Sequence, residues 1–186
     1  MIQILRASLL STVCILGISG CQHFIPKAQG LASAAWIAQD YERQDQVEVQ
    51  WKEHSFSFLL YQQQKGQNIE FLALTLTGQQ LFKLNFDGQK VQVEQRVDQM
   101  KLLPFDFLVR DILFATYPNF AQLQQSNVEV LSSNESKSLK PTQTISIQQQ
   151  KVLIIRYLQD HIELDNVQVP YQMIFSEVPN TLENNE

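Results

Sequence analysis

The sequence predicts a mainly β fold with one or two helices, in which antiparallel strands build a barrel-like sheet and an apolar helix packs on its concave face. Three observations carry this. Hydrophobic residues alternate with period two from Val47 to Val97, the alternation returns from Thr144 to Phe175, and a single stretch of helical spacing separates the two runs.

Val47, Val49 and Trp51 alternate with Glu48, Gln50 and Lys52, the pattern of a half-buried strand. Residues 54–61 alternate again and are expected to stop at the glutamines of 62–64, with a hairpin turn before Gln67. Residues 69–77 are apolar on both faces, with Phe71 and Ala73 on one and Leu72, Leu74 and Leu76 on the other. Phe82, Leu84 and Phe86 share one side of the next strand, and Asp87-Gly88 is the dipeptide of a type I′ hairpin, beyond which Val91, Val93 and Val97 resume the alternation. Pro104 can open a helix because the first turn does not use its missing amide hydrogen. Phe105, Leu108, Val109, Ile112, Leu113 and Thr116 then recur at helical spacing up to Tyr117-Pro118, and Phe107 and Phe114 widen the stripe. Residues 132–142 read as a polar loop, and strands return at 144–148, 152–158, 162–166 and 169–175. The glutamine runs at 62–64 and 148–150 read as solvated strand ends.

Residues 1–20 read as a signal peptide. Arg6 and the amino terminus precede an apolar run from Ala7 to Ile18, too short to span a bilayer comfortably. The run ends in Ile18-Ser19-Gly20-Cys21, which resembles a bacterial lipobox. Proteins with that box carry a diacylglycerol on the Cys sulfur, are cleaved before it, and are acylated on the new amine. Cys21 is therefore expected to be the first residue of the mature chain and its membrane anchor. Burial contributes ~0.8 kcal/mol per CH₂ and one chain anchors only marginally, so several acyl chains matter. The expected organisation is a signal peptide at 1–20, a lipidated Cys with a tether and a short helix at 21–45, a barrel-like domain at 46–176, and a polar tail at 177–186.

The full chain carries 14 Lys and Arg against 19 Asp and Glu, a net charge of −5. This argues against a nucleic-acid partner, which needs a basic stripe to replace phosphate counterions. Cys14 leaves with the signal peptide and Cys21 is consumed by lipid, so no disulfide and no cysteine metal cluster are expected. His23, His54 and His161 show no metal-binding or nucleophile-elbow spacing. Asp160-His161-Ile162-Glu163 places an imidazole among carboxylates, and a solvated turn is the simpler reading. Asp106 and Arg110 are spaced i,i+4 beside Asp111, and the simplest reading is a surface ion pair. No catalytic residue, metal or cofactor is expected.

What stands out is apolar excess. Phe56, Phe58 and Leu60, then Phe71 and Leu72, then Phe82, Leu84 and Phe86, then Leu153, Ile154 and Ile155 place large side chains on adjacent strands, and one helix can cover only part of a sheet face. Either the sheet curls shut around a dry core, or it stays open and the uncovered surface accepts a hydrophobic molecule. The residues expected to line such a site are Phe56, Phe58, Phe71, Leu72, Phe82, Leu84, Ile112 and Ile154.

Three stretches carry a resemblance: residues 78–88 (GQQLFKLNFDG), residues 111–118 (DILFATYP), and Ile155-Arg156-Tyr157 with Leu164-Asp165-Asn166 and Pro170-Tyr171-Gln172-Met173-Ile174. Together they resemble an uncharacterised family of bacterial lipoproteins, a domain of unknown function often encoded beside aryl-polyene biosynthesis genes in Gram-negative bacteria. Where that family commonly closes the helix with Trp-Pro, this chain has Tyr117-Pro118. At fold level the layout is also similar to the lipoprotein carriers LolA and LolB, which implies an unclosed barrel holding acyl chains against a helical lid. Gln22 follows Cys21 where enteric lipoproteins retained at the inner membrane carry Asp, which implies the periplasmic face of the outer membrane.

The expected protein is thus a monomeric, non-enzymatic outer-membrane lipoprotein that binds or transfers a hydrophobic molecule: a lipid, a lipoprotein acyl chain or an aryl-polyene lipid. A periplasm-facing interaction module with a fully packed core is the alternative. A hydrolase or transferase acting on an acyl conjugate is the third reading.

Overall fold

The computed structural model describes residues 28–33, 35–123, 127–133 and 141–179, so the expected signal peptide, Cys21 and most of the polar tail lie outside the described residues. Ten strands form one sheet: β1 (Glu42–Trp51), β2 (His54–Lys65), β3 (Asn68–Leu74), β4 (Gln80–Phe86), β5 (Val91–Arg96), β6 (Val128–Ser133), β7 (Thr142–Ile147), β8 (Gln150–Tyr157), β9 (His161–Asn166) and β10 (Tyr171–Glu177). Their order is β5-β4-β3-β2-β1-β10-β9-β8-β7-β6, and every pairing is antiparallel. The edges β5 and β6 are not paired with each other, so the barrel is unclosed. Two meanders, β1–β5 and β6–β10, are joined through β1 and β10, with Val47 opposite both Phe58 and Phe175.

The period-two pattern dictates which face is buried. Val47, Phe58, Leu60, Ile69, Phe71, Ala73, Phe82, Leu84 and Phe86 are all buried, whereas their neighbours Glu48, Ser57, Glu70 and Lys83 are not. The helix α1 (Phe105–Thr116) lies against this concave face and buries Phe105, Val109, Ile112, Leu113 and Phe114. Pro104 stands at its N-cap and its carbonyl accepts from the amides of Phe107 and Leu108.

Length decides how much α1 can cover. Twelve helical residues rise about 18 Å, whereas the twelve residues of β2 extend about 40 Å. The end of the sheet near the C-terminus of α1 is closed by other chain. Trp36 stacks on Tyr117 at 5.2 Å, meets Phe86 edge-on, and donates from its indole nitrogen to the Gln67 carbonyl at 2.8 Å. The Ser33 amide donates to the Gly88 carbonyl at 2.8 Å, and Phe120 packs edge-on against Phe114. The segment from 28 to 41, expected to be a tether and a short helix, is therefore packed chain, and none of its described residues is helical.

Three other local expectations change. The strand does not stop at Gln62 but runs to Lys65, because Gln62 is buried in a polar network described below. Gln148 and Gln149 form the two-residue turn between β7 and β8, both with positive φ. The loop after β4 is not the two-residue type I′ turn: Asp87 has no positive φ, and its carboxylate accepts from the amides of Gln89 and Lys90 at 2.9 Å each, which builds a four-residue connection to Val91. β6 was not expected at all.

Gly88 has φ +89°, and a Cβ there would lie 2.3 Å from the Trp36 ring, whereas Gly78 at φ +87° has open space around it. Gly78→Ala should therefore cost about 1 kcal/mol through its backbone conformation alone. Gly88→Ala should cost clearly more, about 2–3 kcal/mol, because Trp36 must also be displaced. Urea unfolding of the two variants checks this, and equal losses would mean that the 28–41 segment contributes little to stability.

Candidate functional site

At the N-terminal end of α1 the concave face holds an apolar cavity of about 340 Å³. Its floor is Val49 and Trp51 of β1, Phe56 and Phe58 of β2, Phe82 of β4, and Tyr171 and Met173 of β10. Register explains the grouping: Val49 lies opposite both Phe56 and Met173, and Trp51 opposite Tyr171, so these side chains share the inner face at one end of the sheet. The other wall is the link between β5 and α1, contributing Gln99, Met100, Leu103 and Pro104, followed by Phe107 and Leu108 on the first turns of the helix. That link is held by the Val97 amide donating to the Leu81 carbonyl at 2.9 Å and by two tight turns at Met100 and Leu103. Val169 completes the rim, which is open to solvent at Trp51 and Phe56.

Of the residues expected to line a hydrophobic site, Phe56, Phe58 and Phe82 do so. Phe71, Leu84 and Ile112 face inward but are fully enclosed in the packed core further along the sheet. Leu72 and Ile154 point to the outer face, Leu72 opposite Lys83 and Ile154 opposite Asp165. Sequence reasoning missed Val49, Trp51, Tyr171 and Met173, although their inward alternation was readable. It also missed the Gln99–Pro104 wall, whose apolar residues follow neither period.

Beneath the cavity sits a polar cluster. The Arg110 Nε donates to Asp111 Oδ1 at 2.7 Å, and Asp111 Oδ2 accepts from Asn166 Nδ2 at 2.7 Å and from the Tyr171 hydroxyl. Arg110 and Asp111 are 2% and 0% exposed, so Arg110 stands in a buried ion pair rather than on the surface where the sequence placed it. Burial pushes the Asp111 carboxyl upward, opposed by the Arg110 charge and by three donated hydrogen bonds. Burial and the neighbouring Asp111 charge raise the Tyr171 phenol, which stays a hydrogen-bond donor. Asn166 fixes the turn before β10 by accepting from the amides of Gln168 and Val169. The cluster thus docks α1 onto the β9–β10 hairpin, and Tyr171 links it to the cavity wall.

A second cluster lies under the C-terminus of α1. Gln62 accepts from Tyr41 at 3.2 Å and from Thr116 at 3.0 Å, and donates to Asp45 at 3.3 Å. Asp45 is clamped by two guanidinium nitrogens of Arg43, Nε at 2.8 Å and Nη2 at 2.7 Å. Burial raises the Asp45 carboxyl despite that clamp. These groups are consumed by one another and hold the helix end to β1 and β2.

His161 lies at the far end of the sheet from the cavity, its ring nitrogens facing Asp160 at 2.7 Å and Glu163 at 3.5 Å, and those hydrogen bonds raise its pKa. Among the described residues no group of His, Cys, Asp or Glu is arranged to hold a metal ion, and no helix is long and apolar enough to cross a membrane.

Removing one member of a buried ion pair leaves the other uncompensated, which costs about 3–5 kcal/mol, while replacing both by apolar groups can be neutral. Asp111→Ala should therefore lose about 3–5 kcal/mol, and the double variant Arg110→Met/Asp111→Ala should recover part of that loss. Chemical denaturation of both variants measures it; a double variant no more stable than the single one would show that Asp111 acts through Asn166 and Tyr171 rather than through Arg110.

No protein of curated function matches this sequence. Residues 42–179, from the first strand to just beyond the last, match the family described as Protein of unknown function (DUF3261). The matched span coincides with the ten-stranded sheet and its helix, and the chain belongs to that family.

Proposed function

We propose that the protein is a non-enzymatic lipoprotein of the outer membrane that binds or hands over a hydrophobic molecule in the cavity between β1, β2, β10 and the start of α1. The observation that carries this reading is the lining: Gln99, Tyr171 and the Trp51 indole are its polar groups, and every other lining residue is hydrocarbon, Met or Pro. Ligand sites fall between roughly 300 and 1,000 Å³. A cavity of about 340 Å³ is therefore sized for one slender chain, such as a lipid acyl chain or a polyene, rather than for a bulky polar substrate. A fully packed interaction module gives no reason for Phe56 and Trp51 to remain half uncovered beside a void. A hydrolase would need a nucleophile at the cavity, and the imidazole with carboxylate partners stands at the opposite end of the sheet.

A fluorescent fatty acid should bind the folded protein saturably. Leu108→Trp, which projects a larger side chain into the void, should weaken that binding about tenfold, equivalent to ~1.4 kcal/mol, with little change in stability. Leu84→Trp, in the closed core, should instead lose about 1–3 kcal/mol by overpacking. Absence of saturable uptake by the native domain, or uptake indifferent to Leu108→Trp, would refute the cavity as the binding site. The anchor is tested separately: Cys21→Ser should abolish acylation, and a variant of normal mature mass that still fractionates with the outer membrane would disprove lipidation at Cys21.

A further inference from the structure

We infer that the rim of the apolar cavity docks on a lipid bilayer, so that the cavity opens toward the membrane that holds the protein; this rests on the lipid anchor at Cys21 proposed above. The rim carries apolar side chains on three separate connections. Leu102, between the lining residues Met100 and Leu103, turns away from the cavity and is 96% exposed. Trp51 at the β1–β2 turn is 45% exposed, and Val167 and Val169 of the β9–β10 turn are 45% and 39% exposed. A monomer gains nothing by holding such side chains in water around one opening, and clustered exposed apolar groups mark an interaction surface.

The chain outside the described residues says what covers them. Seven residues lead from Cys21 to Ala28, a reach of at most about 25 Å. The chain then meets the domain on the cavity side. The Gln29 carbonyl accepts from Arg110 at 3.3 Å, and the Arg110 guanidinium lies 5.1 Å over the ring of Phe107, itself a lining residue. Gly30 follows at the ends of β7 and β6, where a Cβ would lie 2.7 Å from the Ile147 side chain. Three residues further on, the Ser33 amide donates to the Gly88 carbonyl, so the chain runs from the cavity wall at Phe107 toward the opposite end of the sheet. Acyl chains in the bilayer therefore hold the domain with the rim within reach of the lipid surface. The chemistry fits an interface: Trp prefers the headgroup boundary, Leu102 can reach the acyl region, and Lys52 and Lys101 sit next to Trp51 and Leu102. Lys101 is paired with Asp98 at 2.9 Å, so attraction is chiefly apolar rather than electrostatic.

The acylated full-length protein, reconstituted in vesicles of phosphatidylethanolamine and phosphatidylglycerol with brominated acyl chains, provides the test. Its two tryptophans separate cleanly, since Trp36 is packed against Phe86 and Tyr117 at the far end of the sheet. Bromine quenching of tryptophan emission is expected in the native protein, lost in Trp51→Phe, and reduced in Leu102→Asp, with the circular dichroism of both variants unchanged. A protein that floats with the vesicles but whose Trp51 emission is unquenched overturns the docking alone. One that lacks acyl mass and does not float refutes the anchor, and the docking with it.

Discussion

An antiparallel sheet that does not close leaves a concave apolar face, and hydrocarbon on that face must be taken out of water by something other than strands. Here the main cover is a single twelve-residue helix laid on a sheet whose longest strand is roughly twice its length. Most of the molecule's particular features follow from that mismatch. At one end the deficit is made up by aromatic residues drawn from outside the sheet: Trp36, Tyr117 and Phe120 interlock with Phe86 and Phe114, and Gly88 supplies the backbone clearance that Trp36 requires. At the other end the cover is the thin link from Gln99 to Pro104 and the first turns of α1, which enclose space without filling it. The cavity is thus the uncovered remainder of a packing problem that the opposite end resolves completely.

A helix that spans an apolar surface by hydrophobic contact alone is free to slide or rotate, because such contacts have no direction. Two polar clusters remove that freedom. Asp111, held by Arg110, binds Asn166 and Tyr171 on the β9–β10 hairpin, and Thr116 binds Gln62 on β2. These partners belong to different meanders, so α1 is tied to both halves of the open sheet. A buried pair such as Arg110 and Asp111 adds little net stability once desolvation is counted. Its effect here is positional: it sets where the first turns of α1 stand, and hence how wide the space between Leu108 and Val49 remains.

Much of the fold could be read from alternation, because one face of each long strand is polar and the other apolar. Where that contrast fails, legibility fails with it. β6 is short and mostly exposed on both faces, so Val128 and Val130 gave too little pattern to separate from loop. Gln62 carries no hydrophobic signal, yet its position in the alternation with Phe58 and Leu60 places it inside, where a side chain with both donor and acceptor can satisfy Tyr41, Thr116 and Asp45 at once. The same limit applies to the site. Apolar excess pointed to surface that one helix cannot cover, and Phe56, Phe58 and Phe82 line the cavity, but excess alone cannot say at which end of a strand the helix stops. Phe71 and Leu84 are equally apolar candidates, yet they are closed into the packed core.

The arrangement of Tyr171 links these themes. Its ring belongs to the apolar wall while its hydroxyl is spent on Asp111, so the polar group nearest the cavity floor faces away from any guest. Arg110 is similarly turned: its guanidinium covers the outer side of Phe107 and reaches the Gln29 carbonyl, leaving the inner side of that ring as hydrocarbon. A site built this way offers a guest almost no directional hydrogen bonds. Its selectivity must come from width and length, which suits chains distinguished by shape rather than by headgroup. On the proposed reading, such a site would release its guest without breaking polar contacts, and loading or unloading would depend on how easily the Gln99–Pro104 link yields. That link is pinned to the sheet by the Val97 amide at one end and continues into α1 at the other, so its motion is coupled to the helix that the Arg110–Asp111 pair holds in place.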